Sequence, residues 1–346
     1  MTIVGGGGLC NGPAGFLVIS DMKRPLSLLL LLGLLGPACS KHHDNPGSAS
    51  GPGTVYVTGS DGVNPVLWID GQPQKLATNG GFGAQVLLNG TDVYVAGASG
   101  ENNALQLTPA GIMGQFAYWK NGVETKLGTP GILESSIAIT VNGNNVYYTG
   151  GRVYENGSPV TLQGMGSADF VSSAQTVGGD VYFAGNDSIG DGAYWKNGVL
   201  HVIAQTQPLG SGIQIFCMYV SNGDVYVGGT DLQRNAAIWK NGVETTVQSS
   251  SGDPLFDVRA IFVDGSDVYS ISNLLVGTTN APAYWKNGVQ VNLPLNGATY
   301  GNATSIFVSG SDVYVTGATS HGAILWKNGV ETVLAASGQA SSVVVQ

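Results

Sequence analysis

An eleven-residue segment recurs along this chain, and it restricts the fold more strongly than any other feature of the sequence. AYWKNGVETKL returns as AYWKNGVLHVI, AIWKNGVETTV, AYWKNGVQVNL and ILWKNGVETVL, and VLWIDGQPQKL and RVYENGSPVTL are divergent copies. Each copy is centred on one aromatic residue, and these residues are Trp68, Trp119, Tyr154, Trp195, Trp239, Trp285 and Trp326. Seven copies separated by 35 to 51 residues predict a repeat architecture with one supersecondary unit per copy.

Each unit is predicted to contain four strands, A to D. In the last complete unit these are ATSIFV from residue 303, DVYVTG from residue 312, AILW from residue 323 and VETVL from residue 330. Apolar and β-branched residues alternate within them, and turn residues separate them. Asn-Gly or Asp-Gly lies between strands C and D in every copy, which predicts a type I′ hairpin turn. Strand A is apolar on both faces, as expected of the innermost strand of a blade.

The two ends of the repeat region complement each other. Residues 54–59 form a strand B that lacks its strand A. Residues 340–346 (ASSVVVQ) match strand A at 303–309 (ATSIFVS) but have no strand B after them. Pairing the two segments would complete the first unit and leave no sheet edge open. The sequence therefore predicts a ring that is closed by its own termini.

These features resemble the seven-bladed β-propeller, an all-β fold of four-stranded antiparallel blades, over residues 54–346. The resemblance concerns architecture alone, because the repeats lack the Trp-Asp dipeptide of WD40 repeats, the paired glycines of Kelch repeats and an Asp-box. Propellers serve many unrelated functions. The resemblance therefore implies a rigid scaffold with variable loops and no particular activity.

Composition agrees with an all-β chain and excludes one class of partner. The 54 glycines and the 10% of charged residues are typical of short strands and tight turns. A net charge of −9 and a pI near 4.7 offer no basic surface to nucleic-acid phosphates. Of the three cysteines, Cys10 and Cys39 precede the repeats, so Cys217 has no partner for a disulfide or a Cys-based metal site. We expect a monomer without a cofactor.

The N-terminal segment is typical of a secretory signal. Lys23 and Arg24 precede an apolar run over residues 26–35, and small residues follow. The run is shorter than the ~20 apolar residues that span a bilayer. Residues 1–21 carry almost no charge, which places the true start of translation at Met22.

The signal is predicted to cover residues 1–38, and it ends in LGPAC, which resembles the lipobox of bacterial lipoproteins. The resemblance implies a lipid on Cys39 and attachment to a membrane, although Gly36 stands where a lipobox has leucine. Ordinary cleavage after Ala38 is the alternative, and either process predicts a protein outside the cytoplasm, in the periplasm or at the cell surface. Residues 39–53 are rich in Gly, Ser and Pro and are predicted to form a flexible tether.

Most aromatic and charged residues belong to the repeat and are predicted to be structural. The six tryptophans and the tyrosine of each strand B are assigned to the core. The Asp that precedes strand B in five copies is expected to bond the local backbone. A Lys precedes the Asn-Gly turn in the same number of copies and is predicted to be a solvated edge charge.

The B–C and D–A loops differ from copy to copy. Since alternate strands run in opposite directions, these loops are predicted to share one face of the ring, called the variable face below. Variable loops on a rigid scaffold commonly carry binding sites. The candidate ligand-binding residues in or next to these loops are Glu101, Glu134, Arg152, Asp169, Asp187, Asp191, Asp231, Arg234, Asp257, Arg259, Tyr300 and His321.

Two pairs among these candidates have more than one interpretation. Asp257 and Arg259 are expected to form an ion pair at the mouth of the central channel, as a structural pair or as a ligand contact. Asp187 and Asp191, in GNDSIGDG, are weak candidates for a calcium site with nearby carbonyls. The loop lacks the ligand spacing of a known calcium motif, and a plain polar turn is the alternative.

Two functions fit these residues. The first is a non-catalytic module that binds a glycan, a peptide or a protein through the variable face. It is favoured because the chain has neither a Gly-x-Ser-x-Gly elbow nor a His-Glu-x-x-His motif. The alternative is a carbohydrate-active hydrolase or lyase, for which two carboxylates of that face would have to lie ~5–9.5 Å apart in one cleft.

Overall fold

The computed structural model describes residues 53–100, 106–108, 111–128, 131–132, 136–166, 170–205 and 212–346, and it gives strands without side chains for 106–108, 111–113 and 131–132. The predicted signal, the tether up to residue 52, the lipidation candidate Cys39 and the site candidates Glu101, Glu134 and Asp169 lie outside the described residues. The described part of the chain contains no helix of the length and hydrophobicity needed to cross a membrane.

The chain forms seven antiparallel blades, each with four strands. Blade 1 combines β1 (Val55–Ser60), β2 (Pro65–Ile69) and β3 (Gln72–Lys75) with the last strand of the chain, β30 (Gln339–Val345). Blade 2 contains β4 (Gly81–Asn89), β5 (Asp92–Ser99), β7 (Gly111–Lys120) and β8 (Val123–Lys126), and the short strands β6 (Gln106–Thr108) and β9 (Gly131–Ile132) also pair with β7. Blade 3 contains β10 (Ile137–Asn142), β11 (Asn145–Gly150), β12 (Arg152–Glu155) and β13 (Ser158–Val160).

The remaining blades follow the same order of strands A, B, C and D. Blade 4 contains β14 (Phe170–Val177), β15 (Asp180–Asn186), β16 (Gly192–Lys196) and β17 (Val199–Ala204). Blade 5 contains β18 (Gln214–Ser221), β19 (Asp224–Thr230), β20 (Ala236–Lys240) and β21 (Val243–Thr246). Blade 6 contains β22 (Ala260–Asp264), β23 (Asp267–Val276), β24 (Thr279–Lys286) and β25 (Val289–Asn292). Blade 7 contains β26 (Gly301–Ser309), β27 (Asp312–Thr319), β28 (Gly322–Lys327) and β29 (Val330–Ala335).

The blades form a ring because each strand A packs against strand A of the next blade. These contacts run from β4 through β10, β14, β18, β22, β26 and β30 and return to β4. Strand A is therefore the innermost strand of its blade, as its apolar faces predicted. The predicted seven-bladed β-propeller is confirmed.

The C–D turns adopt the backbone that their sequence predicts. Asn241 and Gly242, for example, have φ values of 50° and 81°, and the other copies repeat this pair of positive angles. A type I′ turn requires positive φ at both central residues, and its twist matches that of the two strands it joins. The repeated Asn-Gly dipeptide thus fixes the register of the outer hairpin in each blade.

The tryptophans of strand C form the core between blades. All six are at most 1% exposed. Trp195 Nε1 donates to the Gln163 carbonyl, in the loop before blade 4, at 2.8 Å, and Trp285 Nε1 donates to the Gln248 carbonyl at 2.9 Å. Each of these indoles fills the space between two blades and also fixes the loop that connects them. Truncation of such a side chain to alanine typically costs ~3–5 kcal/mol.

Side-chain amides also link a blade to the inner strand of the next blade. Gln175 of blade 4 accepts from the Val220 amide at 2.7 Å and donates to the Val220 carbonyl at 3.3 Å. Asn273 of blade 6 makes the same pair of bonds with Ala303 of blade 7, at 2.8 and 3.0 Å. Each amide satisfies the backbone of a strand A that has no strand partner on its channel side.

The termini close the ring as predicted. Strand β30 pairs antiparallel with β1, with Val57 opposite Val343 and Val55 opposite Val345. The pairing extends to the end of the chain, where the Gln346 amide donates to the Thr54 carbonyl at 3.0 Å. Blade 1 therefore contains both ends of the described chain, and β30 covers the inner edge of β1.

A repeated polar cluster lies at the A–B and C–D turns, on the face opposite the variable face. In blade 5, Lys240 Nζ lies 2.8 Å from Asp224 Oδ2 and 5.2 Å from the ring centroid of Tyr226, and Asn241 Nδ2 donates to Asp224 Oδ1 at 2.8 Å. These lysines are exposed, as predicted, but each is also paired with its aspartate at 2.7 or 2.8 Å, which was not predicted. The prediction that the aspartates bond the local backbone is wrong, because their oxygens contact the lysine and asparagine side chains. The pairs are Asp92–Lys120, Asp180–Lys196, Asp224–Lys240, Asp267–Lys286 and Asp312–Lys327.

The two blades without this ion pair have lost both partners. Blade 1 has Thr54 and Ile69 at the aspartate and lysine positions. Blade 3 has Asn145 and Glu155 there, and Glu155 accepts a hydrogen bond from Tyr147 at 3.1 Å. Neither residue of the pair occurs without the other in any blade, which indicates that the pair acts as one unit.

Deletion of residues 340–346 is expected to lower Tm by about 10 °C, because it removes strand A of blade 1 with two buried valines and uncovers β1. Thermal unfolding of the purified protein measures this. A circular permutant that joins Gln346 to Thr54 through two or three glycines, with new termini at a C–D turn, is the control and should fold. An unchanged Tm in the truncated chain would contradict the role of β30 in closure.

The five paired aspartates are expected to make stability depend on pH in acid. Hydrogen bonds from the lysine, and next from the asparagine, hold the pKa of each carboxyl below its usual 3.8. A carboxyl with a lowered pKa contributes stability that is fully present above about pH 4 and is lost as the pH falls through the lower, folded-state pKa. Replacing all five by asparagine should therefore flatten the decline of Tm below pH 4.

The control for this titration is Asp264→Asn, an exposed carboxyl at a neighbouring turn, which should leave the slope of Tm against pH nearly unchanged. Since the pairs are exposed, the effect of a single pair is small and the five substitutions are needed together. A fivefold variant with the same acid profile as the natural chain would show that the pairs do not contribute.

Candidate functional site

The central channel opens into a wide cavity on the variable face. Its volume is about 1440 Å³, and residues from all seven blades line it. They lie at the start of A strands, as Gln214 and Asn302 do, at the end of B strands, as Thr230 and Ala318 do, and in the connecting loops. This is where the strand directions place the B–C and D–A loops.

Asp257 and Arg259 form the predicted ion pair at this mouth. Arg259 Nε donates to Asp257 Oδ1 and Arg259 Nη2 lies near Oδ2, both at 2.8 Å, so the contact is bidentate. The Asp257 side chain is 8% exposed and that of Arg259 is 48% exposed. Each carboxylate oxygen therefore contacts the guanidinium, which uses two of its five N–H groups here and lines the cavity.

Phe216 supports the Arg259 guanidinium from the side. The guanidinium carbon lies 4.5 Å from the centroid of the Phe216 ring, within the range of a cation–π contact. The neighbouring Cys217 is buried, and its thiol lies 3.6 Å from the Val258 carbonyl. Burial raises the pKa of this thiol well above its ordinary value, so Cys217 stays protonated and acts as a core residue.

Arg234 lies in the B–C loop of blade 5, which Asp231 holds together. Asp231 Oδ1 accepts from the backbone N–H groups of Gln233 and Asn235, both at 2.8 Å, and Oδ2 accepts from Asn235 Nδ2 at 2.9 Å. The loop places Arg234 at φ 65°. Among the residues that the structure describes, all others with positive φ are glycine, asparagine or aspartate.

The B–C loop of blade 4 is a second copy of this turn. Asp187 Oδ1 accepts from the backbone N–H groups of Ile189 at 3.0 Å and Asp191 at 2.9 Å. Gly190, with φ 87°, occupies the place of Arg234. A non-glycine residue in this conformation costs on the order of 1 kcal/mol. The turn itself thus favours glycine, and blade 5 has an arginine there despite the strain.

The acidic candidates of these loops are engaged by their own turns. The contacts of Asp231 and Asp187 are those of a polar turn, and neither residue lines the cavity. Asp191 is buried in the same turn as Asp187. Across the described ranges, no three His, Cys, Asp or Glu side chains gather where they could hold a metal ion.

Several polar side chains of the cavity have no partner within the described chain. The side-chain amides of Gln214, Asn280, Asn302 and Gln339 make no hydrogen bond to described residues, and the Arg234 guanidinium makes neither a hydrogen bond nor an ion pair. Asn273 also lines the cavity, but both atoms of its amide are bonded to Ala303. The unpartnered groups are therefore available to a ligand.

Two aromatic rings add apolar surface to the cavity lining. Phe256 is 45% exposed and Tyr300 is 50% exposed, and both line the cavity. Among the described residues, they are the two aromatic side chains that are largely exposed. They offer flat apolar faces beside the free amides.

The charge of the cavity differs in sign from that of the whole chain. Among the described lining residues, the charged ones are Arg234, Arg259 and Asp257, which gives a formal charge of +1. The complete chain has a net charge of −9. The local excess of positive charge favours an anionic group in the cavity.

The structure thus brings four of the predicted site residues together, namely Arg234, Asp257, Arg259 and Tyr300. His321 instead lies 3.1 Å from Glu331 of the outermost strand of blade 7, measured from Nδ1 to Oε1. Arg152 is exposed at the start of β12 and does not line the cavity.

Sequence reasoning missed the neutral residues of the site. They are Gln214, Phe216, Phe256, Asn280, Asn302 and Gln339. Most of them lie just before strand A or in its first residues, where the repeats differ from one another. That variability was the available signal, but amides and phenylalanines carry no charge that would have singled them out.

Comparison with known proteins identifies no family. No protein-family model and no curated protein matches the chain. Similar solved structures include a nidogen/laminin complex, with 14% identity over 75% of this chain and 95% of that chain and a TM-score of 0.39. Apo AztD from Citrobacter koseri matches with 11% identity over 85% and 97% of the two chains and a TM-score of 0.39. The GH43_1 enzyme from Xanthomonas citri complexed with xylose matches with 10% identity over 71% and 83% and a TM-score of 0.36. Identities and TM-scores this low carry no information about ligand or activity.

The substitution Arg259→Met is expected to lower the free energy of unfolding by about 2 kcal/mol, because it leaves the buried Asp257 carboxylate without its partner. The loss should be smaller than that of a fully buried pair, since solvent reaches Arg259. The double variant Asp257→Asn/Arg259→Met should recover part of it. Urea unfolding of the two variants measures both effects.

The matched control is Arg152→Met, which removes an exposed arginine that has no ion-pair partner among described residues and should change stability little. A double variant that is no more stable than Arg259→Met alone would show that the uncompensated carboxylate is not the cause of the loss.

Proposed function

We propose that this chain is an exported, lipid-anchored β-propeller that acts as a non-catalytic binding module, with its ligand in the cavity of the variable face. The observation that carries the proposal is the set of unpartnered amides and the unpaired Arg234 guanidinium that line the cavity. Water satisfies these groups in the free protein, and polar groups of a ligand can replace that water at little net cost.

A glycan is the ligand class that fits this cavity lining best. Sugar hydroxyls donate and accept hydrogen bonds, as do the amides of Gln214 and Asn302. The faces of Phe256 and Tyr300 offer apolar, electron-rich surface to the C–H groups of a sugar ring. A peptide or protein would call for apolar pockets for its side chains, whereas the exposed apolar surface here is mostly ring faces.

The alternative of a glycan hydrolase or lyase has less support from the described residues. Asp257 is the one carboxylate among the described lining residues, and both of its oxygens contact Arg259. Hydrolysis of a glycosidic bond ordinarily uses two carboxyl groups on either side of the bond. Asp187 and Asp231 hold their own turns and lie outside the cavity lining.

The binding function is tested with the full-length, detergent-purified protein on a glycan array, with calcium and with a chelator. We expect a subset of glycans to bind. Tyr300→Ala should lower the affinity for these glycans roughly tenfold, because the ring face is lost. Val123→Ala, which truncates an exposed apolar residue on the opposite face, is the control and should not change binding. Equal binding by both variants would contradict the assignment of the cavity, and shortened glycans after incubation would show an enzyme instead.

The anchor is tested by Cys39→Ser, which should move the protein from the membrane fraction to the soluble fraction of the producing cells. Lipid attachment to the Cys39 residue would be measured by mass spectrometry of the N-terminal peptide. Cys10→Ser is the control and should change nothing, since translation is proposed to start at Met22. A Cys39→Ser protein that stays in the membrane fraction would contradict the proposed lipidation.

A further inference from the structure

We infer that the ligand carries a carboxylate and that the Arg234 guanidinium binds it, so that the cavity takes an acidic saccharide such as a uronate oligosaccharide. This inference rests on the proposed binding function and specifies the ligand class. Three observations support it: the location of the arginines in the chain, the backbone conformation of Arg234, and the fact that Arg259 is paired with Asp257 whereas Arg234 is unpaired.

Arginine is rare in this chain and concentrated at this cavity. The sequence has four arginines, Arg24, Arg152, Arg234 and Arg259, and two of them line the cavity. Five of the lysines form the repeated ion pairs on the opposite face. The positive charge among the described lining residues of the cavity comes from guanidinium groups, whose planar forks match a carboxylate in two parallel hydrogen bonds.

The backbone at Arg234 indicates that its side chain serves something other than the turn. The equivalent turn of blade 4 has Gly190 at this position, and in both turns the aspartate Oδ1 accepts from the same two backbone N–H groups. An arginine at positive φ strains the loop without adding any contact to it, because the guanidinium has no partner among described residues. Strain of this kind is retained where a side chain is needed for binding.

The two arginines of the cavity differ in the charge that they leave for a ligand. Asp257 neutralises Arg259 through a bidentate contact, and Phe216 fixes the plane of its guanidinium. Arg234 has neither restraint and keeps its full charge. Arg259 is therefore suited to hydrogen-bond neutral oxygens of the ligand, while Arg234 supplies the charge that selects an anion.

The neighbouring groups favour a saccharide as the carrier of the carboxylate. The exposed faces of Phe256 and Tyr300 and the free amides of Gln214 and Asn302 line the same cavity as Arg234. Ring faces with amides suit an acidic sugar, in which C–H faces, hydroxyls and a carboxylate occur in one unit. A peptide with a free carboxylate is the competing occupant, and the experiment includes it.

The test compares ligands whose carboxyl group is either charged or converted to a neutral methyl ester. Full-length protein in detergent is titrated by calorimetry with oligosaccharides of galacturonate, mannuronate and glucuronate, each with free carboxylates and as the methyl ester. Short glutamate-containing peptides, in the same two forms, are titrated alongside them. We expect at least one free acid to bind roughly 10- to 100-fold more tightly than its ester, since a charged hydrogen bond is lost in the ester. Added sodium chloride should weaken the binding of the acid and leave the binding of the ester nearly unaffected.

The variants then assign the charge to one residue. Arg234→Gln should abolish the preference for the acid and keep the weak binding of the ester, whereas Arg234→Lys should retain part of the preference. Arg234→Gly should lose the preference and raise Tm by about 1–3 °C, because glycine suits the positive φ. The control is Arg152→Gln, which removes an exposed arginine that does not line the cavity and should leave both Tm and affinity nearly unchanged.

The outcomes separate this inference from the proposed function. One outcome is that neutral glycans bind, and that Tyr300→Ala weakens this binding whereas Arg234→Gln leaves it unchanged. That result would support the proposed binding module and contradict the inference that the ligand is acidic. If acidic peptides bind and no uronate does, the carboxylate is right but the saccharide is wrong, and the inference is overturned as stated. If nothing on the array or in the titrations binds, the proposed function fails as well.

Discussion

The fold depends on one pairing, that of the last strand of the chain with the first. Every other blade is formed by consecutive strands, but blade 1 takes β30 from one end of the chain and β1 from the other. Without that pair the ring would have an open sheet edge, and the A strands would no longer surround a channel. The cavity on the variable face is therefore a product of closure, because each of its walls comes from a different blade and only the ring brings them together.

Most of this architecture could be predicted from the sequence, because the constraints are local and repeated. Positive φ at Asn-Gly dipeptides and the complementary ends of the repeat each follow from short-range rules. The Asp–Lys pairs could not be predicted in the same way, since Asp92 and Lys120 are 28 positions apart and meet only when strands B and C pair. The sequence did show that blades 1 and 3 lack both the aspartate before strand B and the lysine at the end of strand C. Comparing these two positions across the blades would have indicated that they are in contact.

The site was predicted only in part, and chemistry explains the difference. The Asp257–Arg259 contact was predictable because residues two apart on an extended segment point to the same side. Asp187 and Asp231 were chosen for their charge, but a carboxylate after a strand also caps the next turn, and the sequence does not distinguish the two roles. Gln214 and Asn302 were missed because the value of a neutral amide depends on whether the fold gives it a partner.

The matched turns of blades 4 and 5 also bear on how such a protein changes its specificity. Gly190 and Arg234 occupy the same place in turns whose aspartate accepts the same two backbone N–H bonds. Glycine and arginine codons of the GGN and CGN families differ by a single base. A binding group can thus be gained or lost at such a turn by one mutation, without any change in the blades, so recognition in this architecture can evolve one loop at a time while the scaffold stays constant.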